Sequence, residues 1–271
     1  MDYLARESSP IDFGVWEQID AAVVKAARNV LTGRRILQLF GPLGAGVGSM
    51  PIDDADAKDE LAEEGYITTQ GRRLAEIPTI YEDFTVFAKD VAASEKTGYP
   101  LDLSGAMAAA QACALKEDRL IFSGKQNLGY DGLLTAAGSG KLKKKDWTIG
   151  ENAFSDVASA IEMLVSKGVY GSYALVVSPN LYMQMQRLQP GTGLLEIDRV
   201  SKLLSGLVFK TPVLGKEQAV LLCPQPENMD LVVGQDLATA YLEQKGLNHS
   251  LRVLESVLLR IKRKTAIVVL E

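Results

Sequence analysis

Histidine, cysteine and tryptophan are scarce in this 271-residue chain: one histidine, two cysteines and two tryptophans. A zinc site needs three or four His and Cys ligands at short spacing, and His249, Cys113 and Cys223 do not supply them. The two cysteines are far apart in apolar surroundings, so they read as buried free thiols. His249, between Asn248 and Ser250, reads as a surface or interface residue at a turn. Gly-x-Ser-x-Gly, the nucleophile elbow of serine hydrolases, is absent. Gly138-Ser139-Gly140-Lys141 is no phosphate loop, because Thr135 stands where the first glycine belongs and Leu142 where Ser or Thr must follow the lysine. Gly44, Gly46 and Gly48 are spaced Gly-x-Gly-x-Gly and lead to Pro51 rather than to a helix, which excludes a dinucleotide fingerprint and leaves a flexible turn. No apolar run reaches the roughly 18 residues of a membrane span. The first ten residues hold Asp2, Arg6 and Glu7 and no apolar segment, so no secretory signal is expected. A soluble intracellular protein is the expectation, and a net charge of -5 argues against one built to coat nucleic acid.

What is present is ordinary globular material, 47% hydrophobic and 23% charged, enough for one large core or two lobes. Asp12 predicts a helix start and Gly33 a stop, with the helix running to about Thr32. On a helical wheel its apolar residues cover an arc of roughly 160° that also holds Asp20. Two readings stand. The whole arc is buried, or it divides into Trp16–Ile19–Val23–Val30 toward the core and Val24–Ala27–Leu31 as a groove for a peptide. Ile36–Phe40 predicts a short strand. Residues 52–73 form a polar, acidic arm too long for a structureless loop inside a compact domain, with Arg72 and Arg73 beyond it to meet acidic groups of a neighbour. Leu74–Val91 predicts strand. Asp102–Phe122 and Glu151–Lys167 predict helices, with a loop between them whose lysines (Lys141, Lys143, Lys144, Lys145) read as solvated. Tyr173–Ser178 predicts a buried strand, followed by helices to about Leu188 and over Asp198–Leu204. Val208–Leu222 predicts further strand, and so do Leu251–Leu259 and Thr265–Leu270, with Lys262–Lys264 as a polar turn.

Several short motifs then carry a resemblance. They are Trp16 with Ile19 and Asp20, Gly33-Arg34-Arg35, Gly41-Pro42-Leu43-Gly44, Gly132-Leu133-Leu134, Leu175-Val176-Val177-Ser178, and Gly234-Gln235-Asp236-Leu237 with Tyr241. In this order and over the whole chain they resemble the encapsulin shell proteins. The resemblance implies an α+β fold of the HK97 phage-capsid type with a peripheral P-domain, an axial A-domain and an extended E-loop. It places the N-terminal helix and first strand of the P-domain in residues 1–40 and the E-loop in 41–75. The P-domain with its spine helix follows in 76–135, mainly A-domain in 136–225, and a returning P-domain strand in 226–271.

The implied function is a non-enzymatic one: a cytoplasmic bacterial or archaeal nanocompartment. Sixty copies, or a multiple required by icosahedral symmetry, assemble with one another. The implied partners are cargo enzymes, a ferritin-like protein or a dye-decolourising peroxidase, with roles in iron storage or oxidative stress, held by terminal targeting peptides. Val24, Ala27, Leu31, Arg34, Asp236, Leu237 and Tyr241 are the expected peptide-binding residues. Pro190, Gly191, Thr192 and Gly193 are the expected lining of a fivefold pore. Some relatives carry a flavin near a tryptophan in the region of Leu74–Val91; no tryptophan lies there, so no flavin, other cofactor or metal is expected. Nucleic acid and membrane are not expected partners. The alternative is the major capsid protein of an HK97-like phage or prophage.

Overall fold

The computed structural model describes residues 3–189, 191 and 193–271. In chain order it opens with α1 (Phe13–Arg28) and β1 (Leu39–Phe40). Five strands follow: β2 (Ser49–Asp53), β3 (Asp59–Glu63), β4 (Tyr66–Gln70), β5 (Arg72–Glu76) and β6 (Thr79–Val86). Then come α2 (Ala88–Thr97), α3 (Ser104–Ser123), β7 (Gly140–Leu142), α4 (Asn152–Ser166), β8 (Ala174–Val177), α5 (Pro179–Gln184) and α6 (Glu196–Leu203). The last strands are β9 (Val208–Lys210), β10 (Ala219–Leu222), β11 (Met229–Val233), β12 (Ala238–Lys245), β13 (Asn248–Ile261) and β14 (Ile267–Leu270).

Two sheets organise these elements. The first runs β1-β11-β13-β12, with β6 also on β13. Its axis is β13, whose first half pairs with β6 and β12 and whose second half pairs with β11. That strand is buried at Leu251 and throughout Val253–Leu259, which matches its run of mostly apolar residues. Helix α3 lies against β6 and β13, and α1 lies against α3. Alanines at 106, 109, 110 and 114 on the buried face of α3 let its backbone approach the sheet closely. The second sheet runs β7-β14-β10-β8-β9 and is covered by α4 through Val157, Ala160 and Leu164. Every residue of β8, β10 and β14 is buried.

Between β1 and β6 the chain makes a two-tier hairpin. β2 pairs with β5 at the base and β3 pairs with β4 at the tip. All five residues of β3 are exposed, as are Tyr66, Ile67 and Leu74. The acidic arm expected from the sequence is therefore an ordered ribbon with no core of its own at its tip. Arg72 and Arg73 do not wait for a neighbour. Arg72 donates to Asp53 at 2.7 and 3.0 Å, and Arg73 lies 3.8 Å from Asp131 in the same chain.

Other expectations are also corrected. α1 ends at Arg28, four residues before Thr32, because the chain turns at Asn29 and re-enters as a 3-10 turn over Gly33–Arg35. The strand expected over Leu74–Val91 is broken at Pro78, and its last residues belong to α2, an alanine-containing helix stopped by Gly98 at φ 70°. β12 carries Leu242-Glu243-Gln244-Lys245, helix-favouring residues drawn into strand by pairing with β13 through a tight turn at Gly246. Residues 226–271 contribute strands to both sheets. β11 to β13 build the first sheet, while β14 crosses to the second, between β7 and β10. Lys144 is not solvated: its side chain is 8% exposed, donates to Glu217 at 2.9 Å and lies 5.7 Å from the Trp147 ring. Cys113 and Cys223 are buried and free, and burial pushes the Cys113 thiol up to about 12.

Candidate functional site

The site begins where α1 stops. The amides of Val30 and Leu31 donate to the Ala27 carbonyl, and the next two, of Thr32 and Gly33, donate to the Asp118 carboxylate on α3 at 2.9–3.1 Å. Gly33 is pressed against α3 so closely that a Cβ would fall 2.4 Å from Ile121 Cδ1. This docking feeds the 3-10 turn into the crevice between α3 and the first sheet and delivers Arg34 there.

Three carboxylates from three elements receive it. Arg34 Nε donates to both oxygens of Glu117 on α3 at 2.9 and 3.0 Å, Nη2 to Glu255 on β13 at 2.7 Å, and Nη1 to Asp236 at 2.6 Å. Glu117 and Glu255 are fully buried, whereas the Asp236 side chain is 58% exposed. Burial alone disfavours the Arg34 charge, but bonding to Glu117 and the charges of Glu117 and Glu255 outweigh it and hold its pKa above the ordinary arginine value. Burial, then the neighbouring charge of Glu117, pushes Glu255 well above the usual carboxylate range. Its Oε1 has no hydrogen-bond partner. Burial also works against ionised Asp236, yet Arg34 and the Leu237 amide, at 2.8 Å, bring its pKa below the usual value.

Above this ionic floor is a pocket of about 490 Å³ lined by Val24, Ala27, Arg28, Leu31, Arg34, Arg35, Asp236 and Leu237. It brings together six of the seven residues expected from the sequence. Val24 supplies a half-exposed wall, while Ala27 and Leu31 are nearly covered. Such a cavity can hold an apolar side chain against one wall while polar groups at the rim meet the backbone of the same peptide. Arg34 is not a free hand for an incoming acid, since all three of its nitrogens already donate within the chain. Arg28 and Arg35 are lining residues that sequence reasoning missed. The signal for Arg28 was its i+4 relation to Val24; Arg35 adjoins Arg34 and donates to the Arg28 carbonyl at 2.9 Å.

Tyr241 is not part of this cavity. It is four residues beyond Leu237 along β12, roughly 13 Å at strand rise. Its amide donates to the Leu4 carbonyl at 2.9 Å, and its ring lies 6.1 Å from that of His249. Of the four expected pore residues, Pro190 and Thr192 lie outside the described residues. Gly191 and Gly193 are exposed and left-handed, at φ 80° and 68°, between Leu188 and Leu195, which pair across the loop. Among the described residues no group of three or more His, Cys, Asp or Glu side chains is placed to hold a metal ion, and no helix is long and apolar enough to cross a membrane.

Comparison with known proteins agrees with this architecture. The family model described as encapsulating protein for peroxidase matches residues 1–258. The type 1 encapsulin shell protein EncA of Myxococcus xanthus is 40% identical over 277 residues, covering 100% of this chain and 96% of the relative. A diheme-cytochrome-encapsulin shell fusion protein of Kuenenia stuttgartiensis is 40% identical over 262 residues, covering 94% of this chain and 72% of that protein. Among solved structures, a virus-like particle from Pyrococcus furiosus superposes with a TM-score of 0.78 at 21% identity, over 95% of this chain and 99% of that one. The capsid of Myoviridae phage XM1 superposes at 0.59 and 15% identity, over 89% and 88%. The phage likeness is one of fold, the HK97 type, and the capsid-protein alternative goes no further than that. With the family model spanning nearly the whole chain and the 40% identity end to end, this chain belongs to the encapsulin family of shell proteins.

Proposed function

We propose that this shell subunit encloses a cargo enzyme by holding the enzyme's terminal targeting peptide in the pocket between α1 and the Asp236–Leu237 corner. The observation that carries the reading is the pocket itself: an apolar cleft formed by Val24, Leu31 and Leu237 over a floor of Arg34 and Asp236. The family is built around enclosure, and the Kuenenia relative carries its diheme cytochrome as a fusion. A cleft of this volume suits one or two apolar anchors of an extended segment held without a covalent link. In this reading sixty copies or a multiple close the shell. The loop 190–193 rings a pore that passes small solutes, the subunit needs no flavin of its own, and the compartment is cytoplasmic. The enclosed enzyme is of the ferritin-like or peroxidase class.

The test is Leu31→Asp. The substitution puts a charge on the pocket wall. Shells should form as in the unaltered chain, seen as uniform hollow particles by electron microscopy, while co-purifying cargo falls by tenfold or more. Unchanged cargo in intact shells would remove the pocket from the reading.

A further inference from the structure

Beyond the pocket, the chain's own N-terminal segment lies across α1 and β12. Asp20 lies one helical turn before Val24 on the same face of α1. Thr239 lies two residues beyond Leu237, on the same side of β12. Residues 4–6 cross between these two positions. The Leu4 carbonyl accepts from the Tyr241 amide, and Arg6 Nε donates to the Thr239 carbonyl at 2.8 Å. The Arg6 guanidinium forms a two-pronged bond to Asp20 at 2.6 and 2.8 Å and stacks 4.5 Å above the Trp16 ring. Trp16 Nε1 donates in turn to Ser9 Oγ at 3.1 Å.

One backbone bond and one side-chain anchor thus hold the segment against the exposed edge of β12, an edge open to pairing with an extended peptide. The occupant fits incompletely. Ala5 is forced to φ 51°, a left-handed conformation unfavourable for a residue with a Cβ. The fully buried Thr239 Oγ1 has no hydrogen-bond partner. The ion pair that anchors the strap is part-exposed, with side chains 29% and 40% accessible, so solvent and salt weaken it.

We propose that the α1–β12 groove is a single peptide-binding cleft whose Asp20–Tyr241 half is held by a displaceable strap, Leu4–Arg6, with Arg6 as the anchor that an incoming basic, extended segment replaces. The inference rests on the pocket being the cargo site and adds that a segment long enough to pass Leu237 expels the strap.

The probe is a fluorescently labelled peptide with this chain's own residues 1–9, added while shells assemble. It is offered to the full chain, to the chain lacking residues 1–7, and to Arg6→Ala. A tethered strap competes at an effective concentration on the order of millimolar. The full chain should therefore retain the peptide at least tenfold more weakly than the truncated chain, with Arg6→Ala close to the truncated one. Asp20→Ala in the truncated chain should abolish the gain, and Leu31→Asp in the truncated chain should not, because Leu31 lies in the other half of the groove. Equal retention by full and truncated chains, or none by either the truncated chain or Arg6→Ala, overturns the proposal. If truncation prevents assembly, Arg6→Ala carries the comparison alone. The cargo-loading result with Leu31→Asp is read separately, so the strap can fail while the pocket stands, or the reverse.

Discussion

Arg34 and Asp118 decide whether the pocket has a floor. Arg34 is the counter-charge of the fully buried Glu117–Glu255 pair, and removing it leaves that pair's charge uncompensated. Arg34→Ala should lower stability by about 3–5 kcal/mol, read as a large fall in the melting temperature of assembled shells; a shift of a degree or two would mean that Glu117 and Glu255 simply share a proton at little cost. Asp118 behaves differently. Burial raises its pKa to about 6 from 3.8, against the opposing pull of the Gly33 and Thr32 amides. The folded chain thus binds this proton more tightly than the unfolded chain. The stabilisation it gives is full below about pH 3.8 and is lost as pH rises through about 6, a swing on the order of 3 kcal/mol. Asp118→Asn should flatten melting temperature against pH across that window, and an unchanged slope would rule the group out. At this scale the sequence was half readable. Helical spacing puts Val24, Ala27 and Leu31 on one stripe but leaves open whether that stripe is buried or forms a groove, and only the resemblance favoured the groove. The commitment of Arg34 does not follow from spacing, because its partners Glu117 and Glu255 are 83 and 221 positions away.

Among the elements, the arm of β2 to β5 has its own fastening. Asp54 accepts from Lys264 at 3.0 Å, Asp56 from Thr265 Oγ1 at 3.1 Å with Arg263 3.5 Å away, and the Ala55 amide donates to the Lys262 carbonyl at 2.7 Å. Each exposed pair contributes about 1 kcal/mol or less, but together they set the direction in which a long lever leaves the body. Lys264→Glu should reduce the yield of closed shells and broaden their size distribution by electron microscopy. The exchanged pair Asp54→Lys with Lys264→Asp should restore both; no recovery would show that charge is not what matters there. Periodicity found α1, α3 and α4 because each buries one face, and it found β8 and β14 because both are buried throughout. It missed α2, which has no buried residue, and β12, whose strand character is imposed by β13. In both cases the deciding contact lies outside the local sequence. The lysine-rich turn at 262–264 looked like mere solvated polarity for the same reason.

Taken as a whole, the subunit is unfinished by itself. The tip strands β3 and β4 pair with each other and bury almost nothing, leaving Leu61, Tyr66 and Ile67 exposed. Closed shells use several unlike contacts per subunit, and exposed apolar groups of this kind suit such contacts. Limited proteolysis should therefore cut dissociated subunits within residues 57–71 and leave the same segment intact in assembled shells; equal cleavage in both states would show that assembly leaves the arm uncovered. The placement of β14 has a different consequence, one of timing. β7 has no strand partner other than β14 among the described residues, and residues 143–266 are made between them. A nascent chain halted before position 267 has its second sheet in separate pieces, with β7 and β10 on either side of a gap. Once that point is translated, β14 can link β7 to β10, so this sheet closes as one of the last events in building the subunit.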